Sequence, residues 1–171
     1  LPNGTGRTLN YVGTPSSETE NQFLIKSDYY LRDHQQISGS YYFTDYKRPP
    51  VIPTGNVLAS TGSGNRVRVQ NVSINHTYTS SPTLIFVSTF GLARQRGGSL
   101  SSAPFGFPDA GVKIASPDPP ELSLSVSGNF SIGTNHIGDF DRSDFTFREV
   151  ATKQAGAHEL KFGGEAVRLT N

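Results

Sequence analysis

Between Val67 and Gly97 the chain reads VRVQNVSINHTYTSSPTLIFVSTFGLARQRG, and its apolar residues fall at every second position. In the first run Val72, Ile74, His76 and Tyr78 share one side of an extended ribbon, and Ser73, Asn75, Thr77 and Thr79 share the other. In the second, Leu84, Phe86, Ser88, Phe90 and Leu92 oppose Ile85, Val87, Thr89, Gly91 and Ala93. A period of two marks a strand whose two faces meet different surroundings. The break Ser80-Ser81-Pro82-Thr83 is too short for a crossover, so the two strands are expected to be antiparallel neighbours. Each arm has roughly a dozen residues, where an ordinary strand has about five or six and a bilayer crossing needs about nine to eleven. The pattern therefore predicts a wall as tall as a membrane.

The same alternation predicts strands near 21–31, 37–46, 67–79, 84–96, 144–153 and 158–169, in a region running over 20–171. Residues 1–19 are rich in Gly, Pro, Ser, Thr and Asn without period and read as a loop or linker. Two more such stretches, 47–66 and 98–143, read as long loops, and Leu122–Ile132 carries the pattern of one short strand inside the second. Nowhere do apolar residues recur at helical spacing between capping signals. The expected fold is all-β, with antiparallel up-and-down hairpins and about six long strands forming part of a transmembrane β-barrel. The connections alternate short, long, short, long, short, which gathers the tight turns at one end and the long loops at the other, as in outer-membrane barrels. Ser27-Asp28-Tyr29-Tyr30-Leu31-Arg32 echoes Ser143-Asp144-Phe145-Thr146-Phe147-Arg148. Hairpins that meet the same environment look alike, and that is the simpler reading of the echo.

Composition agrees with a thin wall. Only 34% of residues are hydrophobic, fewer than a water-soluble globule of this length normally buries, yet alternating strands need apolar residues at every second position only. No segment approaches 18 consecutive apolar residues, so no helical membrane span is expected. Net charge is +1 with no long run of one sign, which gives no footprint for a nucleic-acid binder. Without Cys there are no disulfides, thiolate metal sites or Cys nucleophile. The chain starts Leu1-Pro2-Asn3-Gly4, without signal pattern or initiating Met, and is expected to be a mature or excised piece of something longer.

The stretches ENQFLIKSDYYLRDHQQISGSYYFTDYKRPP, GNRVRVQNVSINHTYTSSPTL, GGSLSSAPFGFPDAGVKIA, PPELSLSVSGNFSIGTNHIGDFDRSDFTFRE and GAHELKFGGEAVRL resemble the barrel of a TonB-dependent outer-membrane receptor. The likeness is nearest to the Oar-like subgroup with a carboxypeptidase-regulatory-like domain, and it covers the chain from about Glu20 onward. It implies the outer membrane of a Gram-negative bacterium, with an extracellular location as the alternative. It also implies partners: outer-membrane lipid, the remainder of the barrel, a plug domain and the TonB system. Plug domain, TonB box and closing strand have no counterpart here, and there is no Trp. About six strands cannot close a barrel of about 22, so open edges are expected, with strand-edge self-association possible in principle.

Motifs for covalent chemistry are sparse. Gly128-Asn129-Phe130-Ser131-Ile132-Gly133 has the wrong spacing for a nucleophile elbow around Ser131. His34, His76, His136 and His158 are scattered without metal-ligand spacing. Asp139-Phe140-Asp141-Arg142-Ser143-Asp144 opens like a calcium loop but has Asp144 where Gly is needed and Val150 where Glu is needed, so a solvated loop with an Asp–Arg pair is the simpler reading. Thr61-Gly62-Ser63-Gly64-Asn65 lacks the Lys and the helix of a phosphate loop. Arg66, Arg68, Arg94 and Arg96 lie at the loop ends of the central hairpin and read as a barrel rim meeting charged headgroups or substrate, not nucleic acid. Phe105 and Phe107, flanked by Pro104 and Pro108, form an apolar loop that normally folds back on its neighbours. No catalytic, cofactor-binding or metal residue and no cofactor is assigned, and ligand contacts stay open. The chain is expected not to be an enzyme. The function expected is a barrel-wall segment of a transporter for ligand uptake. The alternatives are a secreted or surface β-rich binding or self-assembling module and, third, a small hydrolase from environmental DNA.

Overall fold

Alternating β-branched and aromatic residues do pair into long ribbons. The computed structural model describes Thr5 and residues 15–50, 64–100, 107–114, 122–134 and 138–171. Its strands are β1 (Thr19–Arg32), β2 (Gln35–Arg48), β3 (Gly64–Ser81), β4 (Leu84–Leu100), β5 (Leu122–Val126), β6 (Phe130–Thr134), β7 (Asp139–Ala155) and β8 (His158–Thr170). Six of them form one antiparallel sheet in the order β1-β2-β3-β4-β7-β8, and β5 pairs with β6 in a separate hairpin. Tight turns join β1 to β2, β3 to β4 and β7 to β8 at one end of the sheet, and the long connections leave from the other.

Contacts divide the chain into two units. One comprises Glu20–Asp45, Val67–Arg96 and Phe140–Asn171. Within it the β7–β8 register fixes which residues share a face. Phe145 lies opposite Arg168, Phe147 opposite Ala166, Ala151 opposite Phe162 and Lys153 opposite Leu160. The other face pairs Thr146 with Val167, Arg148 with Glu165, Thr152 with Lys161 and Gln154 with Glu159. Ring contacts carry the apolar face across the hairpins: Phe23 stacks on Phe43 at 5.2 Å, and Tyr78 stacks on Phe86 at 6.3 Å. Hydrogen bonds carry the polar face: Thr89 donates to Asn75 at 2.9 Å, Tyr42 to Gln22 at 3.3 Å and Thr44 to Glu20 at 3.2 Å.

No described large side chain is fully buried. Phe23, Phe90, Phe147 and Phe162 are all exposed on the apolar face. The apolar run from Leu84 to Leu92 spans about 27 Å of strand at about 3.4 Å per step. At the usual tilt that is about 20 Å of height, close to the ~25 Å apolar band of membrane barrels. β1 and β8, the outermost strands, are exposed along nearly their whole length.

The second unit comprises Leu1–Thr19, Tyr46–Arg66 and Gly97–Asp139. It holds the β5–β6 hairpin, which turns through Ser127-Gly128-Asn129 with Asn129 N–H donating to Val126 O at 2.9 Å. Gly128 supplies φ +75° at the third position of that turn, where a type II turn needs a positive φ. A 3-10 turn, Pro108–Ala110, is closed by Gly111 in the left-handed region. Ser99 N–H donates to Gly138 O at 3.0 Å, and the Gly98 backbone comes so near Gly138 and Asp139 that a side chain there would clash.

Three expectations need correction. The strands outrun the apolar pattern: β4 continues to Leu100 and β7 begins at Asp139. Backbone ladders do not need apolar side chains, so polar ends such as Gln95–Ser99 and Asp139–Ser143 stay paired. The stretch 98–143 is not one long loop, because it gives its ends to β4 and β7 and contains the whole β5–β6 hairpin where one strand was expected. The stretch 47–66 gives Gly64–Arg66 to β3, and residues 51–63 lie outside the described residues.

Two neighbouring glycines test the β7–β8 register. A Cβ on Gly163 would run into the Glu149 carbonyl oxygen and sit 3.0 Å from Val150 Cα, whereas one on Gly164 would meet nothing within 4 Å. Gly163→Ala is expected to cost about 1–3 kcal/mol as an overpacking change. Gly164→Ala is expected to be close to neutral. The urea midpoint of the protein folded into vesicles separates the two. In the Gly156-Ala157 turn the first residue alone has positive φ, +62°, as type II′ hairpins require. Gly156→Val should therefore cost about 1–2 kcal/mol of stability, read as a lower value of the same midpoint.

Candidate functional site

The sheet presents two surfaces of opposite chemistry and a charged rim. On the polar surface, alternation places Ser38, Ser40, Tyr42 and Thr44 of β2 beside Asn71, Ser73, Asn75 and Thr77 of β3. Hydroxyls and amides of this kind keep water along the strand without a net field. On β7 and β8 the same surface becomes charged, and Arg148 lies opposite Glu165. A shallow depression forms there, lined by Arg148, Lys161, Gly163 and Glu165.

The rim lies on the apolar side, beyond Phe43, Leu92 and Phe145 and toward the long connections. Arg68 Nε donates to Asp45 Oδ1 at 2.9 Å, and its guanidinium stands 5.6 Å from the centre of the Phe43 ring. Arg94 grips Asp141 with two bonds, Nε to Oδ1 at 3.2 Å and Nη2 to Oδ2 at 2.9 Å. Arg96 Nε donates to Asp141 Oδ2 at 2.7 Å. These hydrogen bonds, from Arg94 first and Arg96 next, hold the Asp141 carboxyl down to about 2, so at this rim it stays ionised at any ordinary pH. Gln70 donates to the Tyr41 hydroxyl at 2.8 Å one step nearer the band. In the second unit Arg66 pairs with Asp139 at 3.2 Å, both well exposed.

The residues singled out in the sequence scatter. His34 is exposed in the β1–β2 turn with its ring 5.7 Å from that of Tyr78. His76 is half-buried in β3, and His158 begins β8 opposite Ala155. His136 and Phe105 lie outside the described residues. Phe107 precedes the 3-10 turn. Ser131 falls in β6. The run Asp139–Asp144, expected as a solvated loop, is extended strand instead, and alternation sends Asp141 and Asp144 to opposite faces. A calcium loop needs its carboxylates to curl around one point, which a strand cannot do. Among the described residues no three His, Asp or Glu side chains converge. The arginines were visible in the sequence; their partners were not. Asp45 lies 23 residues before Arg68, and Asp141 lies 45 after Arg96. A usable signal was that each Asp falls at the long-connection end of the strand next door.

Comparison with known proteins gives one positive finding. The family model described as outer membrane beta barrel domain matches residues 1–171. Searches of curated proteins and of solved structures return no match. Strands tall enough for a bilayer, greasy on one side and wet on the other, are what such a family must build, and with the match running over its whole length this chain belongs to the outer-membrane β-barrel domain family and resides in the outer membrane.

Proposed function

We propose that the chain forms part of the wall of a TonB-dependent transporter, with its long connections helping to take a siderophore, glycan or peptide from outside. The observation that carries this reading is the likeness of five stretches to such receptors, the SAPFGFPD segment being the most particular of them. The two-faced sheet supports it in outline: an apolar face for lipid, and a polar face of hydroxyls and amides along which a hydrated solute or a plug could lie. In this reading the wall does no covalent chemistry and needs no cofactor. Its work is to seal against oil on one side and hold water on the other.

A second reading has its own observation. β1 and β8 are exposed edges with unused backbone donors and acceptors, which suits a surface module that assembles through strand addition.

Uptake separates the two. Cells that lack this chain are expected to lose energised accumulation of one of the three ligand classes, down to the level of cells without TonB. Full accumulation of all three without the chain would sink the transporter reading. Strand-edge oligomers of the purified protein, seen by cross-linking, would then favour the surface module.

A further inference from the structure

The apolar face is broken at one level. Ser88 is the middle residue of the run Leu84–Leu92, half-way up the apolar band. Its neighbours follow from register. The Asn75–Thr89 hydrogen bond and the Tyr78–Phe86 stack place His76 of β3 beside Ser88 of β4. On the other side Gln154 N–H donates to Thr83 O at 2.8 Å, and a Cβ on Gly91 would stand 3.6 Å from Thr146 Cβ. Both contacts give one register for β4 and β7, and it places Glu149 beside Ser88. β8 then contributes Gly164, opposite Glu149. A row of His76, Ser88, Glu149 and Gly164 therefore crosses four strands at mid-depth. Ile74, Phe90 and Phe147 lie on one side of it, and Tyr78, Phe86 and Phe162 on the other. The three polar side chains are half-buried, and among the described residues none of them has a hydrogen-bond or ion-pair partner. Gly164 has open space above it, so nothing shields Glu149 on that side. Ionisable side chains are costly inside a membrane and face another polar group when they occur there. A wall that only seals against oil needs none at this depth.

We propose that this face docks on the same face of a second copy of the chain within the membrane, each Glu149 carboxylate accepting a hydrogen bond from the partner's His76. The row carries its own complement. A ring N–H donor stands at one end, a carboxylate acceptor at the other, and Ser88 midway between them. Two strand steps, about 10 Å at the usual spacing, separate His76 from Glu149. A two-fold axis along the membrane normal, passing in front of Ser88, sets two such faces together with both copies in the same orientation. It carries each His76 to the side where the other copy's Glu149 stands and brings the two Ser88 side by side. One patch used twice in this way is the isologous contact of a two-fold dimer. Lipid tails have nothing to offer these groups, and an unrelated protein would have to present the reversed row. A second copy presents it by symmetry.

The chain has no cysteine, so one introduced thiol reports one contact. Ser88→Cys places it at the axis. Ser27→Cys places it on the same face of β1, three strands from β4. Each full chain is folded into phosphatidylcholine vesicles at high lipid excess and oxidised with copper phenanthroline. Dimers are counted on non-reducing gels, and folding is tracked separately by heat-modifiable mobility. Ser88→Cys is expected to link into dimers and Ser27→Cys to stay single. Adding His76→Leu and Glu149→Leu to Ser88→Cys should lower the dimer about tenfold, as the loss of two hydrogen bonds within a membrane allows. Equal linking at the two positions overturns the proposal, as does a Ser88→Cys dimer that survives the Leu changes. So does the absence of any Ser88→Cys dimer, which is also the result if copies join through the edges of β1 and β8. Should the Leu variant not fold, the comparison of the two cysteines decides alone. No uptake enters this readout, so its outcome is independent of the transporter reading.

Discussion

Every amide in the band that meets oil has to find its partner sideways, on the next strand. Water is absent there, and an unmet backbone N–H or C=O costs several kcal/mol. The arrangement of this protein follows from that demand. The strands are long because the band is tall, and antiparallel because tight turns join them. They are regular because a gap in the ladder would strand a donor in oil. Glycine enters where the ladder leaves no room: Gly163 lies against the Glu149 carbonyl, and Gly98 against Gly138 and Asp139.

The same demand explains how a sheet can stand without a core. In water a domain of this length would hide its Phe, Leu and Ile inside, each contributing about 1.5–3 kcal/mol on leaving water. Here Phe23, Phe90, Phe147 and Phe162 stand open on the apolar face, Val167 and Leu169 stand open on the other, and the described residues hide no large side chain. In a membrane, lipid takes over the work of a core. The opposite face then becomes the side that stays wet, and the side-chain bonds found on it, Thr89 to Asn75 and Tyr42 to Gln22, are those of a hydrated surface.

Much of the charge on the apolar face lies at its two ends, although Glu149 stands between Phe147 and Ala151 on that face. Lys153, near the tight turns, donates to Thr83 at 2.8 Å. The arginines of the apolar side lie at the other end, past the last aromatic rings. Exposed pairs of this kind contribute little to stability, and their position says more than their strength. They mark the level at which oil gives way to headgroups, and their crowding around Asp141 gives that level a sign.

The period of two in Val67–Gly97, the Ser-Ser-Pro-Thr break and the short–long rhythm of the connections were enough to read an all-β, up-and-down wall from residues alone. They suffice because alternation and turn length are local, and each ribbon declares its greasy side without knowing its neighbours. Strand ends were less legible: Asp139–Ser143 carries little apolar alternation, and backbone pairing rather than side-chain character extends β7 through it. The β5–β6 hairpin was half seen: Leu122–Val126 alternates strictly, but its return depends on a turn at Gly128. The rim was legible as arginines and illegible as a site. Tertiary structure alone decided that Arg68 meets Asp45, that Arg94 and Arg96 meet at Asp141, and that Asp141 and Asp144 part company. Those relations depend on register between strands, and register is set by contacts such as Tyr78 on Phe86 that join residues no local pattern connects.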